Sequence, residues 1–199
     1  EHIYFARPDS IIDGQSVNEA RVNTGKMLAK QSPVEADLVI GVPDSGLSSA
    51  IGYSIESGIP YGVGLVKNRY IGRTFIQNTQ NKRKKLVALK LNPLKNSIVG
   101  KRIVLIDDSI VRGNTLIGII KTLRKAGAKE IHLRIASPAF IDICYFGTDI
   151  DSKENLIANG RSVEKIRQII GADTLEYLSI ENLKEITKDC NMKDFCMGC

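Results

Sequence analysis

The segment richest in chemistry is Val104-Leu105-Ile106-Asp107-Asp108-Ser109-Ile110-Val111-Arg112-Gly113-Asn114-Thr115. An apolar strand carries two adjacent carboxylates to its end. A short loop with Ser, Gly and Thr then enters a helix. Such a loop offers backbone N–H groups and hydroxyls to a phosphate, and the helix dipole favours the anion. The two carboxylates can accept hydrogen bonds from neighbouring sugar hydroxyls and can hold Mg²⁺ directly or through water. Sugar and phosphate sites side by side describe a ribose 5-phosphate. A bare Asp-Asp pair is more often a helix cap beside a solvated neighbour. Here the apolar strand before it and the Gly/Thr loop after it tip the reading toward a site. It is not a Walker A loop, because the G-x-x-x-x-G-K-[ST] spacing is absent. Nor do Gly62 and Gly64 start a dinucleotide fingerprint, since Lys67 stands where the third Gly is required.

A second loop of interest is Pro43-Asp44-Ser45-Gly46, which follows the apolar run Leu38 to Val42. In open parallel sheets, ligands bind beyond the carboxyl ends of the strands, where both loops would lie. The elements that must position them alternate along the chain, as βαβ units do. Ser16 and Glu19 form an S-x-x-E capping box, and Val17, Ala20, Thr24, Met27 and Leu28 mark one helix face. A helix after Gly46 should stop at Gly58, with Pro60 beyond. Tyr61 to Val66, Ile103 to Ile106 and Ile131 to Ala136 read as strands. Leu116, Ile119, Ile120 and Leu123 mark a helix ended by Gly127. Val163, Ile166, Ile169 and Ile170 mark a later helix, and Leu183 and Ile186 another. The expectation is one doubly wound α/β domain with a mainly parallel sheet and a looser tail over 180–199. Residues 67–85 are polar and irregular, and so long a loop usually marks a mobile functional segment.

Composition narrows the function classes. The chain has 199 residues, 43% hydrophobic and 25% charged, as a soluble globular domain has. At this length ~70% of the unfolded surface can be buried without disulfide staples. No apolar run approaches the ~18 residues of a membrane span, and no secretion signal opens the chain. A cytoplasmic protein is expected, with Glu1 read as a cut end. The formal charge is +6, and much of the excess lies between Lys67 and Lys95, notably Lys82-Arg83-Lys84-Lys85. Aromatic residues are few and not interleaved with this run, which disfavours nucleic acid. A polyanionic small substrate in a positive cleft fits better. The cysteines are Cys144, Cys190, Cys196 and Cys199. A terminal C-x-x-C plus a distant Cys points to metal or cluster ligation, or to redox chemistry.

Taken together, the motifs resemble the amidophosphoribosyltransferase family of type I phosphoribosyltransferases. The resemblance is carried by Tyr4 to Ser10, Gly41 to Gly46, Lys67-Asn68-Arg69-Tyr70, Gly72 to Gln77, Lys90 to Pro93, Asp107 to Gly113, Gly171-Ala172-Asp173 and Tyr177-Leu178-Ser179. It spans nearly the whole chain. It implies the type I fold, with a flexible loop over the active site. It implies displacement of pyrophosphate from C1 of phosphoribosyl pyrophosphate (PRPP) by ammonia, giving phosphoribosylamine for purine biosynthesis.

By that resemblance, Asp107 and Asp108 take the ribose hydroxyls and, with Ser45, the Mg²⁺ site. Pro43, Asp44, Ser45 and Gly46 hold the pyrophosphate. Ser109, Ile110, Val111, Arg112, Gly113, Asn114 and Thr115 hold the 5-phosphate. Lys67 and Arg69 lie nearest the pyrophosphate. Asn114 stands where the family usually has Thr, and Asn78 and Ala88 where it has Pro and Arg. Cys144, Cys196 and Cys199 match three ligands of a structural 4Fe–4S cluster, with the fourth expected just upstream of residue 1. An N-terminal glutaminase domain, a homo-oligomer and inhibition by purine nucleotides are implied for the full protein. The alternative is a non-enzymatic PRPP-binding domain of a purine regulator.

Overall fold

Strand-forming runs and amphipathic helices alternate along the chain, and the computed structural model assembles them into a parallel sheet covered on both faces. It describes residues 2–3, 5–68, 91–146, 150, 152–186 and 196–197. The expected loop from Arg69 through Lys85, Asn78, Ala88, Cys190 and Cys199 lie outside the described residues.

The elements are β1 (Ile11–Ile12), β2 (Gln15–Ser16), α1 (Val17–Gln31), β3 (Leu38–Gly41), α2 (Leu47–Ser57), β4 (Leu65–Lys67), β5 (Leu91–Pro93), α3 (Lys95–Ile98), β6 (Arg102–Asp107), α4 (Asn114–Lys125), β7 (Glu130–Ile135), α5 (Val163–Ile170), β8 (Thr174–Tyr177) and α6 (Ile180–Ile186). The main sheet has the order β3-β6-β7-β8, all parallel. Tyr61 adds a parallel bridge to Val39 on the outer side of β3. The chain therefore leaves β3 toward one edge and returns to β6 on its other side. The strand order reverses between β3 and β6, and loops that follow those two strands flank the crevice where such sheets bind ligands.

Alternation along the strands sorts the core into two layers. Leu38, Ile40, Ile103, Leu105, Ile131, Leu133 and Ile135 face α4 and α5. Val39, Val104 and Ile106 face α1, α2 and α6. Ser16 accepts from the Glu19 N–H at 3.3 Å and caps α1 as expected. No helix among the described residues is long and apolar enough to cross a membrane.

Three expectations need correction. Tyr61 to Val66 is not a continuous strand: only Tyr61 bridges β3, and Leu65–Lys67 pairs antiparallel with β5. Gly62 and Gly64 lie so close to the Leu38 and Ile40 side chains that a Cβ on either would stand 2.8 Å from them. The apolar run thus packs its backbone on β3 without laddering to it. Second, the helix marked by Val163, Ile166, Ile169 and Ile170 is present as α5, but of these four only Ile166 and Ile170 form its buried face. Third, Asn114 and Thr115 are the first residues of α4 and not part of the preceding loop. The strand β8 is an addition. On β7, Arg134 alternates into the second layer and is 3% exposed; its Nη1 donates to Thr174 Oγ1 at 2.9 Å and its Nε to the Ser32 carbonyl at 3.3 Å. That pair of bonds ties the end of α1 to the sheet.

Helices α1 and α2 touch through backbone. A Cβ on Gly25 would overlap the Ser49 carbonyl, and one on Gly52 the Val22 carbonyl. The Thr24 and Ser49 hydroxyls meet at 2.8 Å beside this crossing. The crossing fixes α2, and α2 begins where the Pro43–Gly46 loop ends.

Candidate active site

Six residues of β6 run from the half-buried Arg102 to Asp107, its last residue, and five of the six are buried. Asp107 is 6% exposed and Asp108 9%. Asp107 Oδ1 accepts from the Ser45 hydroxyl at 2.7 Å and from the Asp108 N–H at 3.0 Å. Ser109 Oγ donates to Asp108 Oδ1 at 2.9 Å. The two loops singled out in the sequence are thus joined by one short hydrogen bond across the crevice. Gly46 packs against the Ile106 carbonyl, and its N–H donates to Val42 O at 2.8 Å, which turns the first loop onto the end of β6. The Pro43–Asp44 peptide is cis.

Two helices begin beside the acidic pair. Gly46 is the N-cap of α2 and Gly113 that of α4; neither helix has a side-chain cap or an acid in its first turn. Neither helix start is thus neutralised by its own carboxylates, a setting that favours bound anions. Gly113 adopts φ 77°, which lets the chain turn into α4 without a Cβ penalty. The loop is held from behind, where the Ile157 N–H donates to Val111 O at 2.9 Å. The Ile110 side chain is 2% exposed and belongs to the core, so only its backbone can face a ligand. Arg112, Asn114 and Thr115 are exposed.

Lys67, the last residue of β4, reaches Asp44 Oδ2 at 2.7 Å, and both side chains are exposed. Asp44 is therefore the counter-ion of Lys67 in this structure. Beside this pair lies a cleft of ≈ 330 Å³ lined by Gly41, Pro43, Asp44, Leu47, Tyr61 and their neighbours up to Lys67. Arg69 lies outside the described residues.

Burial pushes the Asp107 carboxyl up to about 7, with the Asp108 charge as the second cause; Ser45 and the Asp108 N–H pull the other way. Asp108 is also raised by burial, and its hydrogen bonds from Ser109 and then the Arg21 charge oppose that rise. Two carboxylates with a serine hydroxyl make a hard oxygen set that fits a divalent cation, to be completed by ligand and water oxygens. Among the described residues no group of three or more His, Cys, Asp or Glu is arranged to hold a metal.

The raised Asp107 pKa has a consequence for the metal-free chain. Its folded pKa lies above the unfolded value of about 4, so the native state binds the proton more tightly. That contribution is fully present below about 4 and is lost as pH rises to about 7. His132, lowered by burial, acts in the opposite direction over part of the same window. The comparison to make is chemical denaturation of the parent and of Asp107→Asn between these pH values. The parent should lose stability relative to the variant as pH rises; parallel curves would refute the assignment.

The cysteines do not assemble a cluster site among the described residues. Cys144 is half-buried and its Sγ accepts the Phe146 N–H at 3.5 Å, while Cys196 is exposed. Cys199 lies outside them. A four-thiolate set is the normal requirement, and the described residues include two cysteines.

Arg21 is the feature missed from sequence. It flanks the buried face of α1, and a charge at that position reads as solvated unless its neighbours across the chain are known.

A phosphoribosyl transferase domain model matches residues 18–137. An amidophosphoribosyltransferase of Archaeoglobus fulgidus is 54% identical over 200 residues, covering 100% of this chain and 44% of the relative. That of Bacillus subtilis is 56% identical over 183 residues, covering 92% of this chain and 38% of the relative. A solved structure of the B. subtilis glutamine PRPP amidotransferase, complexed with ADP and GMP, superposes with a TM-score of 0.85 at 55% identity, covering 93% of this chain and 41% of that one. The chain thus spans about two fifths of the length of these relatives.

Proposed function

The chain belongs to the phosphoribosyl transferase domain family and corresponds to part of the amidophosphoribosyltransferases, and from that premise we propose that it transfers the phosphoribosyl group of PRPP to ammonia, forming phosphoribosylamine and pyrophosphate. The observation that carries this reading is the 2.7 Å bond from Ser45 to Asp107, which sets a paired-acid strand end between two uncapped helix N-termini. PRPP has one sugar and two anionic ends, and the crevice offers an acceptor pair flanked by two anion-receptive loops.

In this reading Asp107 and Asp108 accept the ribose hydroxyls. The N–H groups of residues 109–115 and the start of α4 take the 5-phosphate. Pro43 to Gly46 and the start of α2 take the pyrophosphate. The bond from C1 to the pyrophosphate oxygen breaks with its electron pair leaving on pyrophosphate, the ammonia lone pair forms the new C1–N bond, and the resulting ammonium releases one proton to solvent to give the amine. Charge grows on the leaving group and on the ring, so donors aimed at pyrophosphate and carboxylates near the ring do most of the stabilising. Lys67 exchanges Asp44 for a pyrophosphate oxygen, and Arg69 is its neighbour in the same role. Mg²⁺, when bound at Ser45, Asp107 and Asp108, supplies further positive charge to the leaving group.

The wider assignments follow the same reading. In the full protein a glutaminase domain on the same polypeptide would supply the ammonia, in keeping with the greater length of the relatives. The full protein is a cytoplasmic homo-oligomer inhibited by purine nucleotides, whose ribose phosphate competes for the acidic pair. The 4Fe–4S cluster on Cys144, Cys196 and Cys199 requires the upstream fourth thiolate. After anaerobic reconstitution this chain should carry little iron, and about four irons per chain would contradict that. The direct test of the site is calorimetric titration with PRPP, with and without Mg²⁺. Mg²⁺-dependent binding is expected; no binding in either condition would end the proposal.

A further inference from the structure

Leu156, Ile157 and Ala158 are buried in a row, yet they belong to no helix or strand. A buried irregular segment must find partners for its backbone polar groups. The Leu156 N–H donates to the Lys153 carbonyl at 3.0 Å. Arg161, an exposed residue just before α5, turns its Nη1 back to the Leu156 carbonyl at 3.2 Å and the Ile157 carbonyl at 3.0 Å. The Ile157 N–H leaves the segment altogether, since its bond to Val111 O crosses to the loop before α4. The Ile157 side chain reaches the same loop. A Cβ on Gly113 would stand 2.5 Å from Ile157 Cδ1, so that methyl lies directly against the Gly113 backbone. At its other end the segment is moored by Lys153, whose Nζ meets Asp142 Oδ2 at 2.6 Å.

We propose that Ile157, locked by Arg161, is a positioning residue for the 5-phosphate of the substrate, the centre of a strap that sets the pose of loop 109–113 from behind. The proposal rests on the reading that residues 109–115 and the start of α4 take that phosphate. A loop that binds an anion through backbone N–H groups is effective when its peptide planes are already set. The Ile157 bond fixes the plane of the Val111–Arg112 peptide. In a trans peptide the N–H points opposite to the C=O, so the strap sets the direction of both. The Cδ1 contact supports the next turn, where Gly113 at φ 77° leads into α4. Ile157 cannot easily retreat, because Leu156 and Ala158 are buried on either side and Arg161 holds the carbonyls. The Pro43–Gly46 loop is set by different contacts, with Ile106 and Val42. The strap therefore acts on one end of the substrate and not on the other.

The test compares two ligands, ribose 5-phosphate and inorganic pyrophosphate, each with Mg²⁺, by calorimetry on the full chain and its variants. Ile157→Val removes the one methyl that lies against Gly113, and Ile157→Ala empties the space beneath it. Arg161→Ala releases the strap carbonyls without touching the core. Ribose 5-phosphate affinity should fall about threefold in Ile157→Val and in Arg161→Ala, and about tenfold or more in Ile157→Ala. Pyrophosphate affinity should stay within about twofold of the parent in all three, because its loop is held independently. A general loss of structure weakens both ligands together, so equal losses overturn the proposal. Loss confined to pyrophosphate, or no loss at all, overturns it too. Should Ile157→Ala fail to fold, Ile157→Val and Arg161→Ala decide by the same comparison. A parent that binds neither ligand defeats the functional reading, and this inference with it. A parent that binds pyrophosphate but not ribose 5-phosphate defeats the 5-phosphate assignment on which the inference stands. Binding of both ligands by the parent, undiminished in the variants, defeats only the inference.

Discussion

Replacing Asp107 and Asp108 together by asparagine should lower ammonia-dependent pyrophosphate release from PRPP by about 10³-fold or more. In the proposed reading the pair would have two duties, accepting the ribose hydroxyls and holding Mg²⁺. Asparagine keeps the shape and an acceptor oxygen. The Ser45 hydroxyl and the Asp108 N–H can still find the side chain at position 107. It removes the two negative charges, on which both duties depend. The fold should survive, because the charge being removed is one that burial already disfavours. Near pH 8 the thermal midpoint of the variant should match or exceed that of the metal-free parent. Turnover within about tenfold of the parent, in a folded variant, would mean that the acidic pair is not the catalytic centre.

The second large effect is on assembly of the site. Gly25→Ala and Gly52→Ala should each destabilise the chain by about 3 kcal/mol, the upper end for overpacking. The added methyl meets a backbone carbonyl in both cases, and a backbone cannot swing aside as a side chain can. Relief requires α1 and α2 to separate. One separation relieves both overlaps, so the double variant should lose clearly less than the sum of the two singles. Activity should fall further than stability predicts. Shifting α2 moves its N-terminal loop, and Ser45 would leave Asp107. Urea denaturation of the three variants checks this, and strictly additive losses, or losses below about 1 kcal/mol, would contradict the picture of one tight crossing.

Much of this was legible in the sequence, for local reasons. Asp107 and Asp108 stand out because a wholly apolar strand precedes them and a glycine-bearing turn follows. The Ser16 cap and the face Val17, Ala20, Thr24, Met27 and Leu28 depend on spacing alone; the cap forms and the face is buried except for the partly buried Met27. What was illegible depends on long-range packing. Tyr61 to Val66 has the apolar content of a strand, yet its glycines seat against Leu38 and Ile40 and interrupt the ladder. Ile110 sits in a loop sequence but fills the core beneath it. Asp44 sits in a phosphate-type loop, yet its carboxylate pairs with Lys67, a contact across 23 positions that no local pattern announces. Arg21 is the extreme case. Its side-chain partners are the His2 and Ala6 carbonyls, 19 and 15 positions away.

The central claim is that ammonia attacks C1 of PRPP in this domain. It is tested most directly by following pyrophosphate release from PRPP and Mg²⁺ as ammonium is raised, at a pH high enough to supply free ammonia, with purine bases as alternative acceptors. The account predicts release that rises with ammonia, saturates with PRPP and gains nothing from any base. Release driven by a purine base, or PRPP binding without any release as ammonia increases, would contradict it.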